Sequence, residues 1–281
     1  MAGNLFEGIH RERKMIMQIY LCFPGGRHKA LTMSYDDGTI HDRRLIDIFN
    51  RYGIRGTFHI NAGILGKPER IPAGEVKEVY SGHEVAAHTF THPTIERCPR
   101  EQIIRELLDD RAALESLVGY PVRGLSYPNG SHNKQIRELL PYLGFEYARV
   151  VQVTKAFSLP EDFYQWRATC HHNHDLIALG EEFIKLFKKQ YLYLMYVWGH
   201  SYEFDRDGNW ELIEEFCKLT GNREDIWYAT NIEIVDYINA YKALRFSAAM
   251  DFVVNPWASS VWLSVGGNIV EAKGGCVTYL K

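Results

Sequence analysis

From residue 30 to residue 244, short runs of β-forming residues alternate with longer amphipathic stretches, and that alternation leaves few architectures open. Strand-type runs fall at residues 30–35, 56–60, 84–87, 122–127, 147–153, 165–170, 191–198 and 226–229. Helical stretches lie between them, at 42–52, 100–118, 134–143, 176–189, 210–219 and 232–244. In the first helix Leu45, Ile46, Ile48 and Phe49 form one stripe, and Gly53 stops it. Repeated β–α units imply a parallel sheet with helices on its faces. The number of units favours a barrel over an open sheet.

The pattern changes near Phe246. Beyond it come short apolar runs separated by Gly266-Gly267 and Gly274-Gly275, which read as strands with glycine turns. So short a tail cannot bury a core of its own. The expected division is an N-terminal extension over 1–28, a barrel over 29–245 and a β appendage over 246–281 packed on the barrel.

Composition limits the function. A net charge of −3 with no Lys/Arg block gives a nucleic-acid or anionic-membrane partner no electrostatic support. The run 191–198 is too short to span a bilayer. The apolar run 15–23 is short and lacks a small-residue cleavage pattern, so the expected location is cytoplasmic. Five cysteines without a CxxC pair argue against a disulfide framework and a zinc knot. Oligomeric state is not legible.

Four segments carry chemistry. Asp36 and Asp37, before Gly38, end an apolar strand. A turn there can bring both carboxylates to one cavity, one to bind a metal and the other to take a proton. His88 and His92, in HTFTH, are four apart, a spacing that puts both imidazoles on one face of a helical turn. Tyr127-Pro128-Asn129-Gly130 is a strand-end turn that can aim backbone N–H groups into a cleft. His200 follows a buried strand and Gly199, at the rim of a cavity, and its pKa range suits acid work. All four sit where a strand ends, which is where parallel α/β folds bind ligands. The run Cys170-His171-His172-Asn173-His174-Asp175 reads as imidazoles lining a groove, as a helix start capped by Asp175, or as a second metal site.

SYDDG at 34–38, HTFTH at 88–92, YPNG at 127–130 and WGH at 198–200, in that order, resemble the polysaccharide deacetylases of carbohydrate esterase family four, the NodB-homology family. The resemblance covers residues 29 to 240. It implies a distorted (β/α)7 barrel and a hydrolase in which water on a metal attacks an N-acetyl amide of a sugar or glycoconjugate. Asp37, His88 and His92 are then the ligands of one divalent ion. Zinc suits them best, and other first-row transition metals are possible. Asp36 is the general base and His200 the general acid. Tyr127 and Asn129 serve the oxyanion or substrate. Many members have an arginine where this chain has Ser126; Arg167 is the expected substitute, and Asp162 the expected support for the acid. The substrate is an N-acetylated saccharide or small amide. The alternatives are a cyclic amide or ureide hydrolase of the allantoinase-like branch, and a sugar-binding relative with little turnover.

Overall fold

The structure, a computed structural model, describes residues 18–280. Most of the N-terminal extension read over 1–28 therefore lies outside the described residues. The strands are β1 (Ile19–Cys22), β2 (Lys29–Asp36), β3 (Gly56–Ile60), β4 (Glu84–Ala87), β5 (Gly124–Ser126), β6 (Tyr147–Val153), β7 (Trp166–Ala168), β8 (Cys170–His171), β9 (Tyr193–Gly199), β10 (Ile226–Tyr228), β11 (Arg245–Phe246), β12 (Phe252–Val254), β13 (Val261–Val265), β14 (Asn268–Ala272) and β15 (Val277–Tyr279). The α-helices are α1 (Asp42–Arg51), α2 (Val76–Val79), α3 (Arg100–Val118), α4 (Lys134–Leu139), α5 (Leu176–Lys185), α6 (Ser201–Arg206), α7 (Trp210–Thr220) and α8 (Asn231–Lys242).

The central sheet is parallel throughout, in the order β7-β6-β5-β4-β3-β2-β9-β8, with β10 added beside β2. Its two ends, β7 and β8, are consecutive in the chain. Between them Thr169 donates its N–H to the Tyr196 carbonyl of β9, and its own carbonyl accepts from Lys155, just past β6. One bent strand thus joins both ends of the path. Counted that way, seven strands go round the ring, as expected for a distorted (β/α)7 barrel. Most boundaries expected from sequence hold within a few residues. The helix expected over 134–143 breaks into α4 and a 3-10 turn, where Pro141 has no N–H to give.

Strand β2 shows how the ring packs. Leu31, Met33 and Tyr35 face the surrounding helices and join one core cluster. Ala30, Thr32, Ser34 and Asp36 alternate with them toward the interior. That interior is polar. The Thr32 hydroxyl bonds Asn231, Ser34 meets His59 at 3.2 Å, and Asn231 donates to the Tyr196 hydroxyl. Deeper still, Glu84 accepts from the Thr57 and Tyr147 hydroxyls and from the Ile232 N–H at the start of α8.

Burial pushes the Glu84 carboxyl up to about 7, against the pull of those three donors. Its folded pKa exceeds its unfolded one, so its stabilising contribution is complete below the unfolded pKa and is lost as pH rises through about 7. Glu84→Gln keeps the shape and has no proton to lose. From pH 5 to pH 8 the wild type should lose stability relative to this variant, by up to about 3 kcal/mol. Urea unfolding of both proteins across that range measures the difference. A constant gap would show that Glu84 does not titrate as described.

The tail forms two antiparallel sheets, β1-β13-β14, to which the N-terminal segment contributes β1, and β11-β12-β15. The Tyr237 hydroxyl of α8 donates to the Cys22 carbonyl and accepts the Trp262 N–H, which binds the first of these sheets to the barrel. Among the described residues no helix is long and apolar enough to cross a membrane.

Candidate active site

Parallel strands deliver their last residues to one end of the ring. Asp36 closes β2, and Asp37 follows with φ 85. Gly38, also left-handed at φ 62, completes the turn. His88 follows β4, Ser126 ends β5, and His200 follows β9. Because Tyr35 pairs with Gly199, His200 and Asp36 are the next residues on neighbouring strands.

The first group is Asp37, His88 and His92. Asp37 Oδ1 lies 3.7 Å from Nε2 of each imidazole. Three ligand atoms at that spacing face one point, the layout of a metal site that leaves positions open. The other ring nitrogen of His88 supports the same reading. Its Nδ1 lies 2.8 Å from the Ser126 carbonyl and 2.6 Å from the Ser126 hydroxyl, whose own proton goes to Asp36; facing two acceptors, Nδ1 carries the proton and Nε2 keeps its lone pair. Arg70 holds Asp37 from the other side, donating to its carbonyl and standing 3.7 Å from Oδ2.

The imidazoles do not meet on a helical turn, as the four-residue spacing predicts. Residues 88–92 are irregular, and Thr89 and His92 both take φ 65. Such conformations cost energy and persist when surroundings impose them. Here α3 imposes them. Its Asp110 accepts the N–H groups of Ala62 and His88. Its Glu106, one turn earlier, accepts the Thr91 N–H and hydroxyl. Asn61 donates to the carbonyls of both His88 and Thr89.

Asp36 lies against this group, its Oδ2 3.8 Å from His88 Nε2, but its own strong partner is an arginine. It is buried, forms an ion pair with the fully buried Arg149 of β6, accepts from the Ser126 hydroxyl at 3.1 Å, and lies 3.4 Å from His59. Burial alone would raise its pKa. The Arg149 guanidinium, helped by His88, His59 and His200, overrides that and holds the carboxyl well below the usual carboxylate range. It stays charged.

Arg149, and not Arg167, therefore supports Asp36. On β7 the inward positions are Trp166 and Ala168, so Arg167 faces out and is exposed. Arg149 pairs in register with Ser126, which places the guanidinium one strand over from the position the family resemblance pointed to. Its Cζ also sits 4.3 Å over the Trp198 ring, a cation–π contact.

His200 Nδ1 lies 3.4 Å from Glu203 Oε2. Burial lowers the imidazole pKa, but Glu203, Asp36 and Asp37 outweigh burial and raise it. Glu203 thus takes the place expected for Asp162, which instead caps the turn before β7 through the Tyr164 N–H and pairs with Arg137. The sequence held a signal: Glu203 is three residues after His200 at the start of α6, and it accepts the His200 N–H as an N3 residue does in a capping box. His171 and His172 also approach Glu203, at 3.1 and 3.2 Å. Asp175 makes no cap bond at α5 and pairs with Lys155 instead.

The oxyanion role expected of Tyr127 meets a second correction. The ladder continues one residue past β5, so the Tyr127 N–H is already donated to the Arg149 carbonyl. Its ring is buried and its hydroxyl bonds the Tyr164 carbonyl. Asn129 is exposed with φ 57, and its side chain reaches toward Thr94.

A ring of parallel strands with two carboxylates and three imidazoles at its carboxyl end is an α/β fold with an enzyme-type site. Residues 24–148 match the family model described as polysaccharide deacetylase. The peptidoglycan-N-acetylglucosamine deacetylase of Listeria monocytogenes is 23% identical over 114 residues, 40% of this chain and 24% of that protein. The chitooligosaccharide deacetylase of Sinorhizobium fredii is 31% identical over 88 residues, 30% of this chain and 39% of that protein. The matched stretch thus spans well under half of these relatives. Among solved structures, a Mycobacterium smegmatis protein described as a polysaccharide deacetylase aligns with a TM-score of 0.59 at 16% identity, covering 79% of this chain and 94% of that one. The structure named Puue allantoinase aligns with a TM-score of 0.58 at 13% identity, covering 76% and 91%. Both likenesses concern the fold. Arg149, His200 and Glu203 lie beyond the matched residues, so their roles rest on geometry.

Proposed function

We propose that the chain is a hydrolase that removes N-acetyl groups from an N-acetylated sugar or glycoconjugate, with Asp36 as base and His200 as acid. One observation carries this reading. The Asp37–His88–His92 group lies beside a second carboxylate that is buried, charged and paired with Arg149, with an imidazole of raised pKa on the next strand.

A divalent ion held by Asp37, His88 and His92, zinc by the donor set, would polarise the amide carbonyl and acidify water in the site. Asp36 takes a proton from the attacking water. Arg149, Ser126 and His59 fix its carboxylate, so little reorganisation precedes the transfer. When the C–N bond breaks, the amine nitrogen must gain a proton. His200 supplies it, and Glu203 favours the imidazolium needed to do so. A sugar-binding module would need neither a fixed base nor a poised acid.

The substrate test compares N-acetylglucosamine oligomers with allantoin, using zinc-loaded protein. The proposal expects equal amounts of acetate and free amine from the oligomers and no ring opening of allantoin. Ring opening without acetate release would assign the chain to the cyclic ureide branch. Turnover of neither substrate class, with zinc bound, would overturn the hydrolase reading for these substrates.

A further inference from the structure

We propose that His171, His172 and Glu203 form a second, weaker site for a zinc-like cation, one that fills after the first and takes Glu203 away from His200. The binding part stands on this cluster alone; the inhibition rests on His200 acting as acid.

The ligand atoms are already gathered. His171 Nε2 and His172 Nε2 lie 3.1 and 3.2 Å from Glu203 Oε2. The edge of a zinc tetrahedron with bonds of about 2.0–2.1 Å is about 3.3 Å, so small shifts admit an ion. His172 is fully buried, and neither of its ring nitrogens completes a hydrogen bond. Buried polar atoms without partners are uncommon, and each calls for an explanation. The ring is held rigidly. It stacks on Tyr35, with centroids 5.6 Å apart, and on Phe204, at 4.1 Å. A Cβ at Gly199 would fall 2.0 Å from its Nδ1, so the glycine before His200 leaves the space this imidazole fills. His171 and Glu203 keep 12% of their side-chain surface exposed, which gives an ion a way in.

One contact explains why this site is the weaker. The Asn173 N–H donates to His171 Nδ1 at 3.2 Å, so without metal the proton of His171 sits on Nε2 and faces Glu203. To bind an ion, Nε2 must release that proton, Nδ1 must gain one from solvent, and the Asn173 N–H must lose its acceptor. His88 carries no such cost, because its Nδ1 already faces a carbonyl. The order of loading follows from the two tautomers.

Filling the second site removes the partner of His200. Loss of such a supporting group costs roughly 10–100-fold. Metal content at low and high free zinc, with zinc-edge anomalous maps, tests the idea. The wild type should hold one ion at Asp37–His88–His92 at low zinc and a second at His171–His172–Glu203 at high zinc, with turnover falling about 10–100-fold as the second fills. His171→Phe, which keeps a ring against Trp198, should bind only the first ion and resist the inhibition; His172→Gln should also lose the second ion. The proposal is overturned if no second ion binds, if it binds elsewhere, or if both variants keep it. An error in the first site is seen separately, as an ion missing from Asp37–His88–His92.

Discussion

Asp36→Asn lowers kcat by about 10²–10⁴-fold on a substrate the wild type deacetylates, the usual contribution of a positioned base. The amide keeps the shape of the carboxyl and can still face Arg149 and Ser126, but it cannot take a proton. Asparagine leaves the buried Arg149 guanidinium without its counter-charge, so the variant should also be less stable than the wild type, and kcat is compared under conditions where both proteins are folded. The loss should appear in kcat more than in KM, because the base acts in the transition state. Wild-type kcat in this variant would remove Asp36 from the mechanism.

Arg149→Met has the largest expected effect on stability. Arg149 and Asp36 are both buried and bonded to one another. Removing one partner strands the other as a buried, uncompensated charge, at a cost of about 3–5 kcal/mol. The double variant Arg149→Met with Asp36→Asn has no stranded charge and should recover much of that loss while staying inactive. Urea unfolding of the wild type, both single variants and the double variant gives the coupling energy. Additive effects would mean that the two side chains do not depend on each other.

The contrast between these two residues shows what could be read from the chain. Asp36, Asp37, His88, His92 and His200 were legible as candidates because they fall at strand ends, and their roles came from the family resemblance of the four motifs taken together. Arg149 was not, because its partner is 113 residues away in sequence and meets it only through the register of β5 with β6. An arginine inside the apolar run Tyr147–Val153 was the available sign, since an unpaired charge there would be costly. Arg167 was the expected substitute until the sides of β7 were known: Trp166 claims the inward position beside it. The spacing of His88 and His92 correctly joined them but suggested the wrong backbone. Their convergence depends on Glu106 and Asp110, whose one-turn spacing on α3 looks like ordinary helix polarity until the loop they hold is seen. The parallel sheet followed from the β–α alternation and the barrel from the family resemblance, whereas its closure through Thr169 depends on a strand that changes neighbours midway.

The metal contents of Asp36→Asn and Asp37→Ala, measured side by side after exposure to limiting zinc, test the division of labour between the two aspartates most directly. The account predicts that Asp36→Asn keeps the ion at Asp37–His88–His92 while losing turnover, and that Asp37→Ala fails to hold it. An Asp36→Asn protein without the ion, beside an Asp37→Ala protein that retains it, would contradict the account and exchange the roles of base and ligand.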